Sequence, residues 1–423
     1  MSEQMKPSGI DYLLNIPADW DAKRFKYCAQ ILNGREYADI EVEDGGYPVI
    51  GSGGEFARAS KYCFDGESVL LGRKGTINKP LYIKDKFWCV DTMFYTQARD
   101  HYHVKFLYYC ALCFRFDYYV TSTALPSMTQ KDLGNEVIAV PSYREQQTIA
   151  QFLDEQCNKI DGIISDLETQ IDTLQRYKKS LILETVTKGL NKKAPMKPSG
   201  IDWIGDIPKH WGAKRLKYLL EQSDENIKVG PFGSALSGGD IVNEGKWVYN
   251  QRVVLDNNFE ENDVCITDEK FQEMRSFIVH AGDLLITTRG TIGKVAIVPE
   301  NPAEGILHPC IIKFRVNREL LIPELVKLIF NDSDIVKDQF IVMSNATTIE
   351  VIYSYSLKDI VLPVIPMSEQ IEIYKFLSEK CSTIDAILQD KQAQLETIRQ
   401  HKKSLIYEYV TGKKRVKEKN NGN

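Results

Sequence analysis

The chain has no run of ~18 apolar residues, the length that a membrane-spanning helix needs, so no membrane span is expected. It lacks an apolar signal core as well: Met1 to Asp11 is polar, and the expected location is the cytoplasm. A disulfide framework is missing, because nine cysteines scattered through 423 residues read as reduced thiols. The one Cys-x-x-Cys, Cys110 and Cys113, has His101 and His103 upstream but no second pair at zinc-site spacing. Its setting, from Phe106 to Phe114, reads as a buried helix. There is no Walker A loop and no Rossmann glycine fingerprint with a downstream acid. An Asn/Asp-Pro-Pro-aromatic tetrapeptide is absent too, and Asn301-Pro302-Ala303 only begins like one. The six histidines form no cluster with Glu, so no catalytic centre and no metal are expected in this chain. A basic balance is also lacking. At a net charge of −5, either the chain does not bind nucleic acid or partners supply much of the phosphate grip.

What the sequence does contain is a duplication. Lys6-Pro7-Ser8-Gly9-Ile10-Asp11 recurs as Lys197-Pro198-Ser199-Gly200-Ile201-Asp202, and the match runs on at a constant offset of 191. Ile16-Pro17 pairs with Ile207-Pro208, Trp20 with Trp211, and Ala22-Lys23-Arg24 with Ala213-Lys214-Arg215. A second stretch closes each half at an offset of 224: Glu145-Gln146 with Glu369-Gln370, Cys157 with Cys381, Ile160-Asp161 with Ile384-Asp385, and Lys178-Lys179-Ser180-Leu181 with Lys402-Lys403-Ser404-Leu405. Between these anchors the halves diverge. Their clearest shared interior motif sets Arg73-Lys74-Gly75-Thr76-Ile77-Asn78-Lys79 against Thr288-Arg289-Gly290-Thr291-Ile292-Gly293-Lys294. A common frame carries two different working surfaces.

Residues 145–187 contain no Pro and a single Gly, Gly162. Leu153, Cys157, Ile160, Ile164, Leu167, Ile171, Leu174 and Leu181 recur in alternating steps of four and three, a heptad seam. The second copy reads Leu377, Cys381, Ile384, Leu388, Leu395, Ile398, Leu405 and Tyr409. At ~1.5 Å per residue, some forty residues span about 60 Å. Such a stripe needs a partner, and the other copy is the obvious one. Lys178 and Lys402 hold equivalent seam positions, where a Lys restricts register. Gly189 ends the first helix, and the basic stretch after Gly412 reads as a disordered tail.

The globular halves read as mainly β with short helices at 104–116 and 322–331. Ser68-Val69-Leu70-Leu71, Lys246-Trp247-Val248-Tyr249 and Leu284-Leu285-Ile286 read as strands. Ile312, Phe314 and Val316, alternating with Lys313 and Arg315, suit a half-buried strand. Asn78 stands where Gly293 does, and Asn tolerates the left-handed conformation, so the same turn is expected in both halves.

This layout resembles the specificity subunits of type I restriction–modification enzymes. The resemblance rests on Ile-Pro-x-x-Trp opening each half, and on the order Gly230-Pro231-Phe232-Gly233-Ser234, Tyr249-Asn250-Gln251-Arg252, then Thr288 to Lys294. Pro141 and Pro366, each followed shortly by Glu-Gln, look like the family's entry into its long helix. The first half departs from the pattern, with Gly51-Ser52-Gly53-Gly54 in a roughly corresponding place. The resemblance implies an α+β protein with two mainly-β target recognition domains, separated by two long helices packed antiparallel as a coiled coil with pseudo-twofold symmetry. Sequence alone also permits parallel packing. The division expected is 1–144 and 201–367 for the recognition domains, 145–188 and 368–412 for the helices, 189–200 for a linker and 413–423 for the tail. It implies no catalysis in the chain itself. The expected partners are double-stranded DNA, two methyltransferase subunits and motor–nuclease subunits, with S-adenosylmethionine, ATP and magnesium on those partners.

Base readout favours Arg on guanine and Asn or Gln on adenine, which makes Asn250, Gln251 and Arg252 candidates. Arg73 and Arg289 beside turn glycines are candidate DNA contacts, and Lys79 and Lys294 candidate phosphate contacts. Ser52, Lys74, Thr76, Tyr249, Thr288 and Thr291 lie in the same stretches. Ser122, Thr123, Ser344, Asn345 and Thr347 precede the last strand of each half and are groove candidates, with turn capping the alternative. Rival readings are a two-headed protein-binding adaptor, a stand-alone DNA enzyme, and a specificity subunit of another multi-subunit restriction system.

Overall fold

The structure, a computed structural model, describes residues 4–119, 126–223, 226–232, 235–344 and 351–416. It divides into two units, Met1–Glu168 with Gln392–Asn423, and Thr169–Lys391. Both unit boundaries fall inside the long helices, which begin in one unit and end in the other.

In the first unit an antiparallel sheet has the strand order Leu81–Ile83, Ser68–Gly72, Met93–Ala98, Ala29–Asn33. Its second strand is buried throughout because both faces are covered. Val69 and Leu71 join the core around Trp20, while Leu70 joins the core of the next sheet. That second sheet orders Glu41–Val42, Gly54–Ala59, Tyr47–Gly51, Lys86–Cys89 and Phe64–Asp65, with Tyr47–Gly51 and Lys86–Cys89 parallel. Val137–Val140 returns to pair with Asp21–Arg24 and leads into the first long helix. Cys110, on the helix Val104–Ala111, and Cys113 just beyond it pack into the Trp20 core, and burial pushes the Cys113 thiol up to about 12.

The second unit keeps this plan. Its four-stranded sheet runs Ile227–Val229, Ile311–Phe314, Leu284–Thr287, Val295–Ile297, and a smaller sheet runs Cys265–Ile266, Lys246–Tyr249, Gly305–Leu307, the last two strands parallel. The halves therefore share a topology through the interiors where their sequences diverge. One sequence expectation fails here. Ile311–Phe314 is buried on both faces, and Lys313 is not solvated but 3% exposed, donating to the Ile278 carbonyl at 2.6 Å. Burial of the whole strand leaves its ammonium only protein partners. The expected helix at 322–331 is Pro323–Asp332, and the one at 104–116 stops at Ala111 before a 3₁₀ turn at Phe116–Tyr119.

The long helices are Tyr143–Lys188 and Met367–Val410. The repeated Glu-Gln explains how each is seated. Buried Gln146 donates to the Pro141 and His101 carbonyls and accepts from His103 N–H at 2.9 Å. Gln370 repeats this with Ile365, Leu320 and Ile322. Glu145 accepts from the Trp20 indole at 3.1 Å and Glu369 from the Trp211 indole at 3.2 Å. The helices run antiparallel in each unit. In the first, Asp161 and Glu168 meet Lys402 and Arg399; in the second, Gln170 and Lys178 meet Lys391 and Asp385. The Lys178–Asp385 pair measures 2.8 Å and the Lys402–Asp161 pair 2.6 Å, so the seam lysines fix register by ion pairing.

The seam residues Leu153, Cys157, Ile160, Leu167, Leu377, Cys381, Ile384 and Leu395 are buried, while Ile164, Ile171, Leu174, Leu388 and Ile398 are half-buried. Past the lysines the burial steps aside by one residue. Ile182 and Val186, and Ile406 and Val410, are buried in the cores around Trp211 and Trp20, leaving Leu181 and Leu405 partly exposed. There each helix packs against its unit's globular core as well as its neighbouring helix. Gly189 and Gly412 end the helices at φ +71° and +71°. The residues beyond differ from expectation. The stretch 189–200 contains the strand Met196–Pro198, paired with Asp206–Pro208. The described tail residues are held in place: Arg415 bonds Asp19 and approaches Glu145 at 3.5 Å.

Candidate nucleic-acid interface

In the second unit five segments meet at one end of the four-stranded sheet. The strand Ile227–Val229 runs into Gly230, where an added Cβ would lie 2.1 Å from the His308 carbonyl oxygen, so only glycine lets the backbone pass. Gly230 N–H donates to Ile311, His308 N–H to Tyr249, and Thr288 N–H to Cys310. Ile352 N–H donates to the Thr288 carbonyl at 3.0 Å. Gln251 lies against the Arg289-Gly290 turn, with its side-chain amide 3.4 Å from the Thr291 carbonyl.

The first unit repeats the pattern bond for bond. Gly34 passes 1.9 Å from the Val90 carbonyl by the same measure. Gly34 N–H donates to Met93, Val90 N–H to Ile50, Arg73 N–H to Thr92, and Met128 N–H to Arg73. The structural counterpart of Gly230 is thus Gly34. This corrects the sequence reading that put Gly51-Ser52-Gly53-Gly54 there; those residues follow Ile50 as Asn250 and Gln251 follow Tyr249, with Ser52 at a hairpin tip.

The candidate side chains divide sharply. Tyr249 is fully buried, its hydroxyl donates to the Ala303 carbonyl at 2.6 Å, and burial pushes its phenol up to about 12, so it belongs to the core rather than to a surface. Asn250 caps the helix Gln251–Asp256 by accepting from Val253 N–H. Thr288 is buried, with its hydroxyl donating to Cys310. Arg252 is exposed but stands 3.6 Å from Asp256 and 3.7 Å from Asp263. Lys294 donates to the Asn331 carbonyl at 2.7 Å and so ties the loop to the helix Pro323–Asp332. Arg289 and Thr291 are exposed on the turn.

In the first unit Lys74, Thr76 and Lys79 are exposed, and Arg73 is half-buried with its guanidinium donating to the Asp91 carbonyl. The two turns are not identical. Gly75 and Gly290 share a positive φ, and Gly293 also has one, but Asn78 does not, so the expected left-handed Asn is absent. Ser122, Thr123, Asn345 and Thr347 lie outside the described residues, and Ser344 ends the helix Ile335–Ser344. Two exposed side chains on this edge were not singled out from sequence: Arg35, after Gly34, and Phe232, 84% exposed after Gly230-Pro231. The Gly230-Pro231-Phe232 motif was a signal for the latter. Nothing in the first half's sequence marks Gly34.

The family model for the type I restriction modification DNA specificity domain matches residues 17–173 and 228–397, more than half of the chain. The chain is 24% identical to the type I restriction enzyme MjaVIII specificity subunit of Methanocaldococcus jannaschii over 96% of each. It is 20% identical to the type I restriction enzyme EcoBI specificity subunit of Escherichia coli, over 91% of this chain and 84% of that one. Its fold is similar to a chain from a solved structure concerning complex assembly and conformational transition of the type I R-M system. There the TM-score is 0.64 at 12% identity, covering 93% of this chain and 98% of that one.

Proposed function

The chain belongs to the type I restriction modification DNA specificity family, and on that premise we propose that its two units read the two halves of a bipartite, non-palindromic duplex site. The observation that carries this reading is the duplicated loop edge. The same backbone hydrogen bonds present Lys74 and Thr76 in one unit and Arg289 and Thr291 in the other. A repeated frame matches the local twofold symmetry of a duplex, and different side chains on it favour two different half-sites. The long helices act as the spacer, since each begins in one unit and ends in the other.

The chain serves as the non-catalytic part of its complex. It docks methyltransferase subunits and motor–nuclease subunits, which bring the S-adenosylmethionine, ATP and magnesium chemistry. Its net charge of −5 fits delegation of the phosphate grip to those subunits.

Methylation-aware sequencing of a host expressing the chain with its methyltransferase tests the reading. Two unlike half-sites at a fixed spacing are expected, and a palindromic or absent site overturns it. Lengthening both long helices by one heptad, at 168/169 and 391/392, adds about 10 Å of helix. The spacing should then grow by roughly three base pairs with both half-sites unchanged. A change in the half-sites themselves removes the spacer role.

A further inference from the structure

Two tyrosines beside the second unit's loop edge make no side-chain hydrogen bond among the described residues. Tyr353 follows the Ile352–Thr288 hydrogen bond directly, and Tyr355 lies two residues on. Their rings stack with centroids 5.4 Å apart and planes 8° apart, and they remain 53% and 65% exposed. Adjacent exposed aromatics mark interaction surfaces more often than scattered single ones do.

The first unit supplies the control. Thr129 is the counterpart of Tyr353: Leu133 N–H donates to Thr129 as Leu357 N–H does to Tyr353, and Glu136 N–H to Leu133 as Ile360 N–H does to Leu357. Thr129 caps the helix Gln130–Asn135 through a reciprocal box with Asp132. Tyr353 occupies the same cap position on Ser354–Asp359 and makes no side-chain cap bond. The second unit forgoes a stabilising cap where the first keeps one. A local rule broken in one repeat and obeyed in its twin signals a function at that position.

We propose that Tyr353 and Tyr355 form a stacked plate that contacts the sugar–phosphate backbone of the second half-site, next to the Arg289 turn. Each phenol hydroxyl can donate to a phosphate oxygen, and the paired rings hold the two hydroxyls with little freedom to lose on binding. This rests on the reading of the loop edge as the DNA-reading surface. It adds a neutral contact in the second unit that the first unit, with Thr129 and Lys131 there, does not make.

The test uses the full chain co-expressed with its methyltransferase, and a duplex carrying the methylated site identified by sequencing. Tyr353→Thr supplies the hydroxyl half of the first unit's cap, able to accept from Ser356 N–H, although Ser356 stands where Asp132 closes the box, so the melting temperature of the second unit should rise, by about 2–4 °C. Affinity for the duplex should fall by roughly five- to tenfold, the loss of about one hydrogen bond, and further in Y353T/Y355A. The salt slope should stay unchanged, because a neutral hydroxyl releases no counterion, whereas Lys79→Ala, at an exposed candidate phosphate contact, should reduce it by about one. A lower melting temperature in Y353T would make the tyrosines structural and overturn the proposal. So would unchanged DNA affinity in Y353T/Y355A, or loss of methyltransferase co-purification with DNA binding intact. If Arg289→Ala also leaves binding untouched, the loop edge itself is misread; if only the tyrosine variants are silent, the plate alone fails.

Discussion

Inside the four-stranded sheet the first unit buries Ser68, whose hydroxyl donates to the Thr96 carbonyl at 2.7 Å and accepts from Thr96 N–H at 3.0 Å. At the matching place the second unit buries Asp283, which bonds Arg315 and stands 3.6 Å from the ammonium of Lys313. A neutral pair and an ionic cluster thus solve the same packing problem on the same backbone. The comparison teaches that the fold constrains strand order and hydrogen-bond pattern, and constrains buried polarity only by requiring that each group find a partner.

The largest effect should come from breaking that contrast. Asp283→Asn leaves Lys313 and Arg315 facing each other without a counter-charge and should cost the second unit about 3–5 kcal/mol. Ser68→Ala removes neutral hydrogen bonds and should cost the first unit about 1–2 kcal/mol. Calorimetry with hydrogen exchange assigned to each unit measures both, and equal losses would erase the distinction.

The helix ends offer a second contrast. At Gly412 an added Cβ would lie 2.4 Å from Pro17, while at Gly189 the nearest atom, in Trp211, is 3.2 Å away. Both sites have φ +71°, so alanine at either costs about 1–2 kcal/mol from the backbone alone. Gly412→Ala should then lose distinctly more than Gly189→Ala in urea melts followed by tryptophan fluorescence, since Trp20 and Trp211 line the two contacts. Matched losses would mean that Pro17 yields.

The reading loops should respond half-site by half-site. Arg289→Ala should weaken cognate binding by about 1–3 kcal/mol with the loss confined to duplexes that keep the second half-site, and Lys74→Ala should act on the first. Gel shifts on duplexes with one half-site scrambled separate them, and cross-effects would break the assignment of one half-site to each unit.

The smallest effect is in acid. Burial holds His308 in the second unit, and His103 in the first, below the usual histidine range. In each case the unfolded chain takes up a proton first. Stability is therefore complete above the ordinary value of about 6.5 and is lost as pH falls through the folded value. His308 Nδ1 accepts from Cys310 N–H at 3.1 Å, a bond that protonation removes. His308→Gln should flatten the fall in the second unit's melting temperature between neutral pH and pH 5, and an unchanged fall would place the acid sensitivity elsewhere.

The frame was legible in the sequence because its parts are local and repeated. Proline-free heptads announce the helices, and the recurring Glu-Gln marks where each begins, while the indole and loop bonds that seat it appear only in three dimensions. The reading surface was less legible for a physical reason. Tyr249 and Asn250 carry groups suited to bases, yet the strand end turns one into the core and uses the other as a cap. Lys313 looked like the polar half of an alternating strand, but the sheet is covered on both faces. Gly34 and Gly230 are equivalent through contacts with residues far along the chain, which no local spacing encodes.

The last described residues have a bearing on how the protein is made. The second unit, Thr169–Lys391, is one continuous stretch and has all its residues before synthesis ends. The first unit needs residues 392–416 to complete its core, with Ile406 and Val410 entering the Trp20 cluster and Arg415 bonding Asp19. The half that leaves the ribosome first is therefore the half that closes last. Until then its helix stripe waits with its apolar face uncovered, and a chain cut short near its end is damaged at its beginning.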